Sequence, residues 1–133
     1  MNLFVYLPSP GDRGDELLSA ISPFFSQGSL EVFSDLRSFA ARIRQPKDTF
    51  SIALIWDPTT EDLREIGSMR DFLTGVRTLL VLPDQEMETI TLAHKIFPTY
   101  ITYIDEGLSE VVSVLEWLTR AGGDSAAEGA RRR

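Results

Sequence analysis

The chain has 133 residues, 43% of them hydrophobic, and a formal net charge of −7. This length suits one domain with its own core, and the absence of cysteine excludes disulfides and thiolate metal sites. The negative charge argues against nucleic acid as a partner and no apolar run approaches the roughly 20 residues that cross a bilayer, so we expect a cytoplasmic protein with neither nucleic-acid nor membrane partners.

The first part of the chain alternates between strand and helix patterns. A short apolar strand at residues 3–7 is closed by the turn-forming residues 8–11, and a helical pattern begins near residue 14. A second strand at residues 30–33 precedes a helix at about residues 35–45, where Ser34 or Asp35 can serve as the N-cap.

Residues 50–58 form a continuous apolar run that ends in Asp57 and Pro58. Such a run is typical of a central strand covered on both faces. Thr59 or Thr60 then caps the next predicted helix, which stops at Gly75. The remaining predicted elements are a strand at 76–82, a helix at 85–97, a strand at 99–104 and a helix at 108–120.

The elements define one domain at residues 1–120. Residues 121–133 are glycine, alanine, serine and charged residues without core positions, which predicts a disordered tail. Short connections cannot join neighbouring parallel strands directly, so the helices must serve as crossovers on both faces of a sheet. The sequence therefore predicts an α/β protein with a five-stranded parallel sheet in the flavodoxin-like order 2-1-3-4-5.

The order of elements, the length and the acid that closes the third strand resemble a response-regulator receiver domain, over residues 2–120. That family carries an acidic pair after strand 1, a phosphorylated aspartate after strand 3, a hydroxyl residue after strand 4 and a lysine followed by proline after strand 5. The corresponding residues here are Pro8 and Ser9, Asp57, Leu82, and Tyr103 followed by Ile104. Only the phosphoacceptor position, Asp57, matches.

These losses matter because phosphoryl transfer needs Mg²⁺ held by several carboxylates and a cation that neutralises the phosphoryl oxygens. The resemblance therefore implies a receiver-like signalling protein without an output domain of its own, which is not an enzyme and needs no cofactor. It would act through a protein partner or as a homodimer.

Two alternatives stay open at this point. Asp57 is a phosphoacceptor candidate, with Mg²⁺ held by Asp57 together with Asp12 and Asp15 from the loop after strand 1. Aspartates in such positions are equally expected as helix caps or as charges at helix N-termini. The other alternative is a flavodoxin-like protein that binds a small ligand in the crevice above strands 1 and 3.

The surface through which receivers contact partners is formed by helix 4, strand 5 and helix 5. Helical spacing in helix 4 predicts that Leu92 and Ile96 point outward. The predicted buried set of this helix is Met87, Ile90, Ala93 and Phe97. In helix 5, Trp117 projects opposite the predicted buried stripe, with Val114 at its margin. The four residues are the candidate partner interface, unless the helix phase differs by one residue or the tail covers Trp117.

Overall fold

A computed structural model describes residues 2–8, 11–24, 30–46 and 51–123. Within these ranges, the side chains of Asp12, Phe24 and residues 119–123 are not described. Most of the predicted tail, from residue 124 onward, lies outside the described residues, and so does Ser9.

Five strands form one parallel sheet in the order 2-1-3-4-5, which confirms the predicted fold class. The strands are β1 Asn2–Tyr6, β2 Leu30–Phe33, β3 Ser51–Trp56, β4 Val76–Leu82 and β5 Tyr100–Tyr103. Within this sheet β3 lies at the centre, while β2 and β5 form the two edges.

Each strand is followed by a helix. The helices are α1 Asp12–Ile21, α2 Leu36–Ile43, α3 Thr60–Ser68, α4 Met87–His94 and α5 Leu108–Gly123. Turns of 3₁₀-helix lie at Ser22–Phe24, Arg70–Leu73 and Ile104–Glu106. Over the part of the chain described here, none of these helices has the length and apolar character that a membrane span requires.

The core has two halves because successive side chains of each strand point to opposite faces of the sheet. Leu54 and Trp56 of β3 pack with α1 and α5 on one face, whereas Ala53 and Ile55 pack with α2, α3 and α4 on the other. All six residues of β3 are buried, as the apolar run predicts. The ends of the strands are thereby held in fixed positions by packing on both faces.

Two of the predicted caps are present. The side chain of Asp35 accepts a hydrogen bond of 2.7 Å from the backbone N–H of Ser38 at the start of α2. Thr59 and Asp62 form a reciprocal capping box at the start of α3, with hydrogen bonds of 3.0 and 3.2 Å. These local signals fix where the two helices begin.

The end of α4 differs from the prediction. Its last turn tightens to hydrogen bonds between residues three apart, and Phe97 adopts a left-handed backbone conformation with φ of 57° before Pro98. Phe97 and Met87 were expected to face the core, but they are 75% and 80% exposed. Thr89, Ala93 and Ile96 are buried instead, so the phase of the helix is shifted by one residue.

Candidate functional site

Asp57 lies directly after β3, at the carboxyl end of the sheet. Its backbone N–H donates a hydrogen bond of 2.8 Å to the carbonyl of Val81, which extends the pairing of β3 with β4 by one residue. The backbone of Asp57 is left-handed, with φ of 57°, a conformation that aspartate tolerates better than most residues. Asp57 therefore lies at the end of the sheet where ligand crevices form in open α/β folds.

The charge that acts on Asp57 comes from Arg13. Burial raises the pKa of the Asp57 carboxyl, and the guanidinium of Arg13 opposes this effect by lowering it. Arg13 belongs to the first turn of α1, and its Nη1 donates a long hydrogen bond of 3.5 Å to the carbonyl of Ile104. The crevice therefore contains a cation between the start of α1 and the segment that follows β5.

Gly14 allows α1 to begin this close to the sheet. A Cβ atom at residue 14 would lie 3.1 Å from Cδ2 of Leu7, which is tighter than ordinary contact. Gly14 is buried, and the adjacent Arg13 is exposed. The close packing at Gly14 thus fixes the position from which Arg13 reaches the crevice.

A cleft of about 210 Å³ opens beside Arg13. It is lined by Arg13, Glu16, Trp56, Ile104, Gly107 and Leu108. The cleft is smaller than the roughly 300–1,000 Å³ of typical small-molecule sites. Arg13 and Glu16 were not predicted from the sequence as residues of this cleft. Their position in the first turns of α1, close to the carboxyl end of β1, could have indicated it.

The structure describes the side chains of two of the three proposed metal ligands, Asp15 and Asp57. Asp15 is exposed, does not line the cleft and is not among the charges that shift the pKa of Asp57. Asp12 lies in α1, and its side chain is outside the described residues. Among the described side chains there is no group of three His, Cys, Asp or Glu that could hold a metal ion, and a guanidinium beside Asp57 does not fit a Mg²⁺ site.

The family positions at the ends of β4 and β5 hold an apolar and an aromatic residue. Leu82 ends β4 and is fully buried, and Tyr103 pairs with it in register at the end of β5, partly buried against the same core cluster. On that face of the sheet, burial and the nearby carboxylate of Asp62 raise the pKa of Tyr6. Tyr6 therefore stays a neutral hydrogen-bonding group at neutral pH.

The predicted partner interface needs correction. Ile96 and Val114 are 3% and 7% exposed and belong to the core. The prediction that Ile96 faces outward is therefore wrong, and Val114, predicted at the margin of the buried stripe, offers no exposed surface to a partner. Leu92 and Trp117 are partly buried, Leu92 against the cluster under α2, α3 and α4 and Trp117 against the cluster under α1 and α5. The four residues therefore do not form one exposed patch, because they pack on opposite faces of the sheet.

The exposed apolar surface in this region lies around the start of β5. Phe97 precedes the strand, and Tyr100 at its first position is 37% exposed. A hollow of about 580 Å³ is lined by His94, Phe97, Pro98, Thr99, Tyr100 and Ile101. The hydroxyl of Tyr100 donates a hydrogen bond of 2.7 Å to Glu110 of α5.

Comparison with known proteins identifies a shared fold. No protein-family model and no curated protein matches the chain. The chain is similar to the crystal structure of a putative pilus assembly-related protein from Burkholderia pseudomallei, with a TM-score of 0.64 and 14% sequence identity over 89% of this chain and 88% of that one. This similarity shows the fold alone, and the five-stranded parallel sheet is compatible with a receiver-like fold.

Proposed function

We propose that this chain is a receiver-like signalling module that does not catalyse phosphoryl transfer and acts by binding another protein. The observation that supports this most is the positive charge of Arg13 at the crevice, which lowers the pKa of Asp57 against the effect of burial. A guanidinium repels a divalent cation at the position where receivers hold Mg²⁺. The described residues also contain no group of three carboxylate or imidazole side chains that could share the ion with Asp57.

The contacts would be made at the β5 edge of the sheet, between α4 and α5. Within the described sheet β5 pairs with β4 alone, which leaves its outer edge open. Tyr100 is part of this edge and lines the hollow of about 580 Å³. An exposed aromatic residue beside a hollow is the kind of anchor that protein interfaces use.

The partner is a different protein or a second copy of this chain. The structural neighbour is described as pilus assembly-related. A pilus assembly system is therefore the first setting in which we would search for a partner, although 14% identity supports the fold and not the role.

An amide NMR titration with Mg²⁺ and then beryllofluoride, a mimic of the acyl phosphate, tests whether phosphoryl transfer to Asp57 has been lost. We expect no shifts at residues 11–15, 57 and 81–84 in the wild-type chain, and none in the Asp57→Asn control. Shifts that occur in the wild type and vanish in Asp57→Asn would show a working phosphoacceptor and overturn the proposal.

Site-specific photo-crosslinking tests the contact surface. A photoreactive phenylalanine analogue at Tyr100 is compared with the same analogue at Glu61, an exposed position at the start of α3. We expect a specific adduct from position 100 that is retained in the Asp57→Asn background. An adduct that forms equally from both positions would count against the β5 edge.

A further inference from the structure

Two arginine–aromatic pairs lie at the end of the sheet opposite the crevice. The guanidinium of Arg44 lies over the ring of Phe72 at 5.7 Å, and that of Arg70 over the ring of Phe97 at 5.0 Å. These residues follow α2, α3 and α4, in the connections that lead into the amino ends of the strands. Together with Lys95, they form what we call the basic–aromatic surface.

Phe97 is held on this surface by its surroundings. Arg70 covers one face of the ring, and Nη1 of Arg70 donates a hydrogen bond of 3.0 Å to the carbonyl of Lys95. The left-handed backbone at Phe97 turns the chain before Pro98, so the ring projects into solvent rather than into the core. An aromatic residue rarely adopts this conformation, and such strained residues cluster at functional sites.

Hollows adjoin the surface on several sides. Besides the hollow of about 580 Å³ at the start of β5, there is one of about 290 Å³ whose lining includes Arg70 and Phe97. A third, of about 350 Å³, has Arg70, Leu92 and Lys95 in its lining. Side chains of a partner therefore have room on either side of the Phe97 ring.

The charge of the basic–aromatic surface is opposite to that of the whole chain. Its three cations, Arg44, Arg70 and Lys95, form no ion pair with a carboxylate among the described residues. Asp71 is the one carboxylate among the described residues that line the three hollows. A protein of net charge −7 thus presents a local excess of positive charge beside two exposed phenylalanines.

We propose that the basic–aromatic surface binds an acidic segment of a partner protein that also carries an apolar side chain. The carboxylates face Arg70 and Lys95, and the apolar side chain packs beside Phe97. This inference rests on the proposed function, because it names the chemistry of the partner. A polyanion such as nucleic acid fits less well, since three cations must compete with the repulsion of the whole chain.

A labelled peptide in which phenylalanine is flanked by glutamates provides the probe. Fluorescence anisotropy measures its binding, and amide NMR locates it. We expect shifts at residues 70–73 and 94–99, and binding that weakens as salt is added. We expect Arg70→Gln and Phe97→Asn each to weaken binding about three- to tenfold, because each removes one exposed cation or one aromatic contact.

Matched variants separate this surface from general charge and apolar effects. Arg37→Gln alters an exposed arginine in the first turn of α2, and Met87→Asn alters an exposed apolar residue. Neither residue lines any of these three hollows. Neither variant should change binding more than about twofold. Equal losses in these controls would overturn the proposal.

Other probes test the class of partner. A peptide with lysines in place of the glutamates should bind more weakly than the probe, and equal binding would overturn the role of charge. A peptide with serine in place of the phenylalanine should also bind more weakly, and equal binding would overturn the role of the apolar side chain. Tighter binding to a single-stranded oligonucleotide or to anionic vesicles would overturn the protein partner. If Asp57 responds to beryllofluoride while the peptide still binds, the proposed loss of phosphoryl transfer is wrong and the binding surface stands. If the peptide does not bind, the proposal for the basic–aromatic surface is wrong and the proposed function is unaffected.

Discussion

Tyr100 and Glu110 join the edge strand β5 to helix α5 through a hydrogen bond of 2.7 Å, with the phenol as donor. This hydrogen bond, together with partial burial and the charge of Glu110, raises the pKa of Tyr100 above its ordinary value of 10.0. The contact orients the aromatic ring at the proposed binding edge. It also makes the edge sensitive to high pH.

We expect Tyr100→Phe to lower the free energy of unfolding by about 0.5 kcal/mol, because one exposed hydrogen bond is lost. The folded state holds the phenolic proton more tightly than the unfolded chain. This contribution is therefore present below the ordinary pKa of 10.0 and disappears as pH rises through the folded pKa of Tyr100. Urea unfolding at neutral and alkaline pH measures the difference, and Glu110→Gln should lower the pKa of Tyr100 toward its ordinary value. An unchanged pKa in Glu110→Gln would contradict the assignment.

Asp57→Asn should raise stability at neutral pH by a few tenths of a kcal/mol, roughly, since the carboxyl is partly exposed and screened by solvent. Burial raises the pKa of Asp57, so ionisation costs the folded state free energy above the folded pKa. That cost falls away as pH drops through the folded pKa and is absent below the ordinary value of 3.8. The advantage of the Asp57→Asn variant should therefore vanish in acid unfolding curves. Loss of stability in this variant at neutral pH would mean that the attraction to Arg13 outweighs burial.

Phe97→Asn should stabilise the fold by about 0.5–1 kcal/mol, even as it weakens peptide binding. Asparagine tolerates the left-handed conformation better than phenylalanine, and the ring is too exposed to contribute much packing. Phe72→Asn is the matched control, because Phe72 is exposed but has no left-handed backbone. It should not gain stability, and a gain in both variants would show that strain at Phe97 is not the cause.

Ile96→Ala should cost about 2–4 kcal/mol, because it empties a buried position. Leu92→Ala should cost less, since Leu92 is only partly buried against the same cluster. Thermal or urea unfolding of the two variants checks the corrected phase of α4. Equal, small losses in both would restore the original prediction that the two side chains face outward.

The strands could be predicted because each is an apolar or β-branched run between clear breakers, and Asp35 and Thr59 stand at recognisable caps. The phase of α4 could not. Apolar residues occur on all sides of this segment, so two helix phases satisfy the hydrophobic pattern almost equally. The apolar residues concerned are Ile90, Leu92, Ala93, Ile96 and Phe97. In the structure the polar Thr89 is buried, and sequence patterns give no warning of a buried threonine.

The position of the crevice could be predicted from the sequence, but the positive charge in it could not. Asp57 was identified from its position after the buried strand, whereas attention to Asp12 and Asp15 left out the intervening Arg13. A cation is not expected in the first turn of a helix, where the dipole favours negative charge. Only the close packing of Gly14 on Leu7 shows why Arg13 is brought to this point.

Trp56 lies at the end of β3, 4% exposed, and also lines the cleft beside Arg13. Its indole is thus a built-in optical probe of that cleft. The chain has one other tryptophan, Trp117, and Trp117→Phe would leave emission from Trp56 alone. Any small anion that enters beside Arg13 would then quench or shift the emission of a single fluorophore, so occupancy of the cleft can be followed without a label.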